Sequence, residues 1–265
     1  MFATRIALPA VAFAFAVASL VSCAPNASQL KKTLEENPDI LVAAIQAHPS
    51  EFMTALQKAS VDMEKVGAQK QAEAEKAEMD AEFKNPKKPE IGADRAIRND
   101  KGVITIVEYS DFQCPYCQRG YFTVEEVRKK YGDKIRFVFK HLPLDFHPFA
   151  MPAAKRFEAI RLQSHEKAYA YHDFVFSHQQ ELGSKGEKFL DEAAKKAGAN
   201  LAKMKKDMES EDVRKTIEGD MEEARKFEFS GTPGFIVGGV ELKGAYPAEK
   251  FEEIIDRRLA EQGAK

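Results

Sequence analysis

From Val103 the chain carries a short β-branched run, Val103-Ile104-Thr105-Ile106-Val107, with the length and residue types of a buried strand. Cys114 to Tyr131 follows with apolar residues at helical spacing (Tyr121, Val124, Val127), and Ile135 to Phe139 reads as a second strand. Strand, helix and strand in that order predict a parallel pair joined by a crossover helix. Helical patterning then holds from about 149 to 226, with breaks at Gly183 to Gly186 and Gly198 to Asn200. Phe235-Ile236-Val237 and Val240-Glu241-Leu242 flank Gly238-Gly239, a hairpin signal. A last helix runs from about Pro247 to Ala260. Strands on both sides of a helical block predict one α/β domain with a helical insertion.

Upstream, residues 28 to 84 read as helices with a tandem pattern: Asn37-Pro38 and His48-Pro49 each open an apolar run. A proline is tolerated in the first helical turn, and Asn37 is the better cap, His48 or Ser50 the weaker. Beyond Pro49, Phe52, Leu56, Ala59, Met63 and Val66 alternate at spacings of four and three, a coiled-coil seam of about two heptads. After Gln69 the stripe fades into Ala, Glu and Lys, with helical pairs such as Asp80 and Lys84 on a solvated face. Asn85-Pro86-Lys87-Lys88-Pro89 breaks the helix. This predicts a helical arm over 23–85 and a second domain over 86–265. The arm is either an assembly element, a stalk, or a segment folded on its own body.

Residues 1 to 22 carry one charge, Arg5, before an apolar stretch from Ile6 to Leu20, short for a membrane span and suited to a signal-peptide core. The stretch ends Leu20-Val21-Ser22-Cys23, which resembles a bacterial lipobox and nominates Cys23 for lipidation. The alternative is an ordinary signal peptide, but Pro25 and Asn26 interrupt any A-x-A pattern. A free exposed thiol would also form mixed disulfides in an oxidising compartment, whereas a thioether cannot. Either way the mature protein is expected in the periplasm or cell envelope of a bacterium.

The 265 residues hold 40 Lys plus Arg against 42 Asp plus Glu, a net charge of −2, which argues against a nucleic-acid partner. Three cysteines are too few for a disulfide scaffold, so cysteine chemistry falls to one pair, Cys114-Pro115-Tyr116-Cys117. It lies just after a strand and at the start of a helix, where unpaired N–H groups and the positive dipole end stabilise a thiolate. Thiolate is the reactive form in disulfide exchange. A zinc site would need a second C-x-x-C or a His pair at ligand spacing, and neither is present. A structural disulfide or a Cu(I) site remains open on the residues alone. His141, His147, His165, His172 and His178 lack ligand spacing as a set and read as core-edge or surface residues, with His147-Pro148 at the entry to the insertion.

The strand ending Val107-Glu108-Tyr109-Ser110-Asp111-Phe112 before the cysteines, the strand Phe137-Val138-Phe139-Lys140-His141-Leu142-Pro143-Leu144, the insertion and Gly231-Thr232-Pro233-Gly234-Phe235 together resemble DsbA-type members of the thioredoxin-like fold. The resemblance spans roughly residues 91 to 260. It implies a thioredoxin-like α/β fold with a helical insertion, preceded by an α-helical N-terminal arm. It also implies that Pro233 is a cis-proline beside the cysteines and that Thr232 presents its backbone to an extended substrate. Glu108 becomes the buried acid that exchanges a proton near Cys117. Tyr116 departs from the His of the most oxidising members, which implies a weaker oxidant.

The arm and domain together resemble the ScsC-like disulfide isomerases, whose helical segment assembles subunits. The function expected is an exported thiol:disulfide oxidoreductase, acting as an isomerase through Cys114 and Cys117 with no cofactor beyond their redox-active disulfide. The implied partners are unfolded or misoxidised envelope proteins, a membrane redox partner and further copies of this chain through residues 24–85. A DsbA-like dithiol oxidase and a non-enzymatic client- or Cu(I)-binding module are the alternatives.

Overall fold

The computed structural model describes residues 26 to 263; the expected leader over 1–22 and Cys23 lie outside the described residues. The chain divides into two compact units, one ending at Lys70 and one beginning at Gln71.

The first unit holds α1 (Ala27–Glu36), α2 (Pro38–Ala47) and the start of α3 (Pro49–Lys84). Asn26 and Gln29 form a reciprocal capping box at the start of α1. Asn37 does not cap α2 with its side chain; its amide donates 3.0 Å back to the Thr33 carbonyl and closes the end of α1 instead. No described side chain before residue 71 is buried, and the seam residues Leu56, Met63 and Val66 stand 48%, 76% and 50% exposed.

The second unit starts within α3, fifteen residues ahead of the boundary expected at 85. The physical reason is that Met79 and Phe83, in the stretch read as a fading stripe, are buried in the core of this unit. Asp80 pairs with Arg257 rather than with Lys84, and the guanidinium groups of Arg257 and Arg258 lie 3.7 and 4.3 Å from the centre of the Phe83 ring. The Pro-rich segment that follows is also fastened down, the Lys87 N–H donating 2.8 Å to the Gly239 carbonyl.

Five strands build the sheet: β1 (Ile97–Arg98), β2 (Ile104–Ser110), β3 (Ile135–His141), β4 (Gly234–Val237) and β5 (Val240–Lys243). Their order is β1-β3-β2-β4-β5, with β2 and β3 parallel and the other pairs antiparallel. Helix α4 (Pro115–Tyr131) makes the β2-to-β3 crossover, and the insertion supplies α5 (Ala150–Arg161), α6 (His165–Ser177), α7 (Gln180–Lys185), α8 (Glu187–Lys196), α9 (Leu201–Asp207) and α10 (Glu211–Lys226). The chain returns through β4 and β5 to α11 (Ala248–Gly263). Gly238 and Gly239 carry φ of 54° and 86°, the left-handed pair that a two-residue hairpin requires. The short strand β1 has no signal in the sequence pattern; two residues are too few to show a period.

Alternation along β2 separates two faces. Ile104, Ile106, Phe137, Phe139 and Phe235 join the larger core with Val124 and Val127 of α4, Phe251 and Ile255 of α11 and the insertion helices. Val107, Tyr109, Val138 and Ile236 join a smaller core with Ala224 of α10 and Phe229.

A buried charge cluster fastens the insertion to the rest of the domain. Arg95 grips Asp220 with two hydrogen bonds and lies 3.5 Å from Glu158; Lys140 bonds Glu223 and the Glu90 carbonyl; Arg161 bonds Glu158. His141 Nε2 reaches Glu158 at 2.9 Å, and the Tyr109 hydroxyl donates 2.6 Å to Glu223. Burial pushes the Glu158 carboxyl up, but the His141 bond and the charges of Arg95 and Arg161 outweigh it and leave it at about 2. His141 is therefore fully buried, not at the core edge; His172, 1% exposed among aromatic rings, departs from the sequence reading in the same way.

Candidate active site

Strand β2 delivers the chain to a tight loop at Asp111, and the sequence Cys114-Pro115 then starts α4. Cys114 is the N-cap in extended conformation and Pro115 occupies the first helical position, where its missing N–H leaves nothing unsatisfied. Cys114 and Cys117 are unbridged thiols. Cys117 is fully buried, facing the core, while the neighbouring Tyr116 ring is 59% exposed with the Arg119 guanidinium 5.1 Å from its centre.

The strand register brings the second motif to the first. Gly234 pairs with Tyr109 and Phe235 with Glu108, so the residues just before β4 meet the loop just after β2. Thr232-Pro233 is a cis peptide, and the Cys114 thiol lies 3.5 Å from the Thr232 carbonyl. Gly234 has to be glycine, because a Cβ there would sit 2.5 Å from the Phe229 ring.

The two thiols are held in opposite states. A hydrogen bond from Cys117 is the largest influence on Cys114; Thr232 and the backbone N–H groups of Cys117 and Tyr116 add to it, burial opposes it, and the thiol falls to about 5. Burial first, then the bond to Cys114 and the negative charges of Cys114 and Glu108, push Cys117 well above the ordinary thiol value. At neutral pH Cys114 is a thiolate and Cys117 a proton donor. That division suits Cys114 to attack and Cys117 to wait.

Glu108 stands on the same face of β2 as the core that holds Cys117, fully buried, with neither carboxyl oxygen hydrogen-bonded. Burial raises its pKa to about 8 against a smaller lowering by Ser110, so near neutrality it can both hold and accept a proton.

Two polar residues at the site, Asp111 and Gln179, make contacts that carried little or no sequence signal. Asp111 accepts from the Gln113 and Leu144 N–H groups at 2.7 and 2.9 Å and bonds His147 Nδ1 at 2.7 Å, while its own N–H points to Cys117 Sγ at 3.4 Å. An Asp two residues before a loop N–H is a readable turn signal; the His147 contact, 36 residues away, is not. Gln179, between α6 and α7, donates to the carbonyls of Phe112 and Cys114 at 2.9 Å each. Nothing in a helical run marks one glutamine for that role. Among the described residues no group of three or more His, Cys, Asp or Glu side chains is arranged to hold a metal ion.

A cysteine pair at a helix start beside a cis-proline loop is a thioredoxin-type arrangement, and a thioredoxin family model matches residues 90–257. The chain belongs to the thioredoxin family. A thioredoxin-like oxidoreductase from Silicibacter pomeroyi DSS-3 superposes with a TM-score of 0.56 at 25% identity, covering 64% of this chain and 94% of that one. Proteus mirabilis ScsC, in a transitional conformation, superposes with a TM-score of 0.56 at 22% identity, covering 88% of this chain and 95% of its own. The fold is the thioredoxin-like fold of DsbA- and ScsC-type thiol-disulfide oxidoreductases. By sequence, a Na(+)/H(+) antiporter NhaA 1 of Mycolicibacterium vanbaalenii is 32% identical over 148 residues, 55% of this chain. The thioredoxin-family chain spans about a quarter of the length of the curated relatives it matches. Among its described residues no helix is long and apolar enough to cross a membrane.

Proposed function

We propose that this thioredoxin-family protein is a thiol:disulfide oxidoreductase of the bacterial cell envelope that acts on the disulfides of misoxidised client proteins. The observation that carries the reading is the Cys114 thiol, lowered to about 5 and 3.5 Å from the Thr232 carbonyl at the cis-proline. The thiolate attacks one sulfur of a client disulfide. The client S–S bond breaks, its electron pair leaves with the other client sulfur, and a Cys114 mixed disulfide forms. The Thr232 backbone offers the client an extended pairing edge next to that sulfur.

Two fates follow. In isomerisation, a different client thiolate attacks the client sulfur of the mixed disulfide; a new client S–S bond forms, the bond to Cys114 breaks, and Cys114 leaves as the thiolate it began as. In resolution, Cys117 gives up its proton, with Glu108 as the acceptor, and attacks Cys114 Sγ; the client leaves reduced and the protein keeps the Cys114–Cys117 disulfide. Oxidation of client dithiols is the same sequence reversed, with electrons passing onward to a membrane redox partner.

The isomerase direction is our principal reading. It is supported by the exposed seam on α3, which fits assembly of several copies around one client. A dithiol oxidase is the second reading, and a specific observation favours it: a thiolate stable down to about pH 5 stabilises the reduced state, hence oxidising power. Tyr116 in place of His does not by itself make a weak oxidant here, because the Cys117 thiol and backbone N–H groups supply the stabilisation. Export and lipidation at Cys23 belong to the same proposal and rest on the sequence of residues 1–23. Refolding of scrambled ribonuclease, run beside oxidation of a reduced dithiol peptide, separates the readings. Faster refolding without net oxidation supports the isomerase, net oxidation alone supports the oxidase, and neither activity leaves a binding module.

A further inference from the structure

The loop that presents Cys114 is bound to the helical insertion by three glutamines. Gln113 Oε1 accepts from the Phe149 N–H at 2.7 Å, Gln118 Nε2 donates to the Phe176 carbonyl at 2.7 Å, and Gln179 Nε2 donates to both Phe112 O and Cys114 O at 2.9 Å. Gln179 differs from the other two. It approaches from the insertion, only 8% exposed, and both hydrogens of its amide are used on the carbonyls of Cys114, the N-cap of α4, and of Phe112 two residues before it. Carbonyl oxygens only accept, so the amide nitrogen, not its oxygen, must face them.

The Cys114 carbonyl also receives the N–H groups of Cys117 and Gln118 at 3.0 and 3.2 Å, closing the first turn of α4. Its peptide plane decides where the Cys114 side chain sits relative to the N–H groups of Tyr116 and Cys117. Resting on the thiol-exchange reading of the site, we propose that Gln179 is a positioning residue: by clamping the Phe112 and Cys114 carbonyls it aims the Cys114 sulfur at the first-turn N–H donors, making the insertion part of the machinery that activates the thiol. The clamp supplies no proton and touches no client. It works through geometry alone, so its removal should change the acidity of Cys114 before it changes the fold.

The competing account is that Gln179 merely adds stability. Two variants separate them. Gln179→Leu keeps the bulk and removes both donors; Gln179→Met, unbranched and of the same reach, replaces it where the Leu variant does not fold. Leu190→Ala, in α8 of the insertion and fully buried, loses stability without touching the loop. The rate of Cys114 alkylation by iodoacetamide is followed from pH 3.5 to 9 in the reduced full-length protein, with melting temperatures alongside. Loss of one or two aimed hydrogen bonds to a thiolate should raise the alkylation midpoint of the Gln179 variant by about one pH unit and slow alkylation about fivefold at the original midpoint. Leu190→Ala should lower the melting temperature at least as far and leave the midpoint in place. A Gln179 variant with an unmoved midpoint, or a Leu190→Ala midpoint shifted equally, overturns the proposal. A wild-type midpoint at the ordinary thiol value would instead overturn the exchange reading of Cys114.

Discussion

The Cys114 sulfur and the Thr232 carbonyl oxygen, 118 residues apart in sequence, stand 3.5 Å from each other. On the proposed mechanism the contact joins the nucleophile to the edge where a client backbone would pair, so a client disulfide bound there would be delivered to one sulfur only. Cys117→Ser should therefore accumulate mixed disulfides with client through Cys114. Cys114→Ser should give none, because the remaining thiol is buried and protonated. Non-reducing gels after mixing with a scrambled client read the result. Trapping by the Cys114 variant reverses the two roles.

The acidity of Cys114 has a stability consequence with a fixed sign. Its folded pKa, about 5, lies below the ordinary 9.0, so the stabilisation of the reduced protein is complete above pH 9 and disappears as pH falls through 5. The urea midpoint of the reduced protein should fall from pH 8 to pH 5, and Cys114→Ser should flatten that part of the profile.

Glu108 has the opposite sign. A carboxyl raised from 4.5 to about 8 by burial costs stability once the unfolded group ionises, from pH 4.5 upward to pH 8. Glu108→Gln should raise the melting temperature at pH 7. On the proposed mechanism the same change removes the proton acceptor for Cys117 and should slow resolution of the mixed disulfide by roughly a hundredfold or more, the usual worth of a general base. A variant that is more stable and equally fast would leave Glu108 without a chemical role.

His172 is predicted to set the acid limit of the fold. Its Nδ1 bonds Asp173 at 2.9 Å, its Nε2 has no partner, and the Phe139 and Phe176 rings stand 4.6 and 4.9 Å away. Burial lowers its pKa below the ordinary 6.5, so the unfolded chain binds a proton first and stability falls as pH drops below 6.5. Thermal melts from pH 7.5 to pH 5 should show that slope, and His172→Phe should make it shallower.

The arm prediction is one of assembly. Leu56 and Met63, 48% and 76% exposed, cover apolar surface that is stabilising to bury at about 25 cal/mol per Å². The double change Leu56→Lys and Met63→Lys should convert an oligomer to a monomer in light scattering, with less isomerase and more oxidase activity. Deletion of residues 24–70 should do the same; deletion to 85 would also strip Met79 and Phe83 from the core. A wild-type monomer at micromolar concentration makes the arm a spacer.

Much of the catalytic unit was legible because its signals are local. A β-branched run, a Cys-Pro start to a helix and a Gly-Gly turn each state their conformation within a few residues, and β2, α4, β4 and β5 follow them. The cysteines, Glu108 and Thr232-Pro233 were reachable by spacing and resemblance. The polar scaffold was not. Gln179 to Cys114, His147 to Asp111 and Arg95 to Asp220 are long-range pairings between ordinary polar residues, and each partner alone reads as surface. Asn37 misled for a related reason: a side chain between two helices can serve either, and here it serves the one before it.

The buried cluster of Arg95, Lys140 and Arg161 with Glu158, Asp220 and Glu223 sets a rule for how this sequence can drift. Three cations face three anions across four separated stretches of chain, and losing any one strands an opposite charge away from water at a cost of about 3 to 5 kcal/mol. A homologue that has replaced Asp220 with a neutral residue should therefore have lost Arg95 as well, and the substitutions should arrive as a matched set. On this argument the six positions should be inherited together or exchanged together, which would make them a signature for tracing descent within the family that is independent of the cysteines.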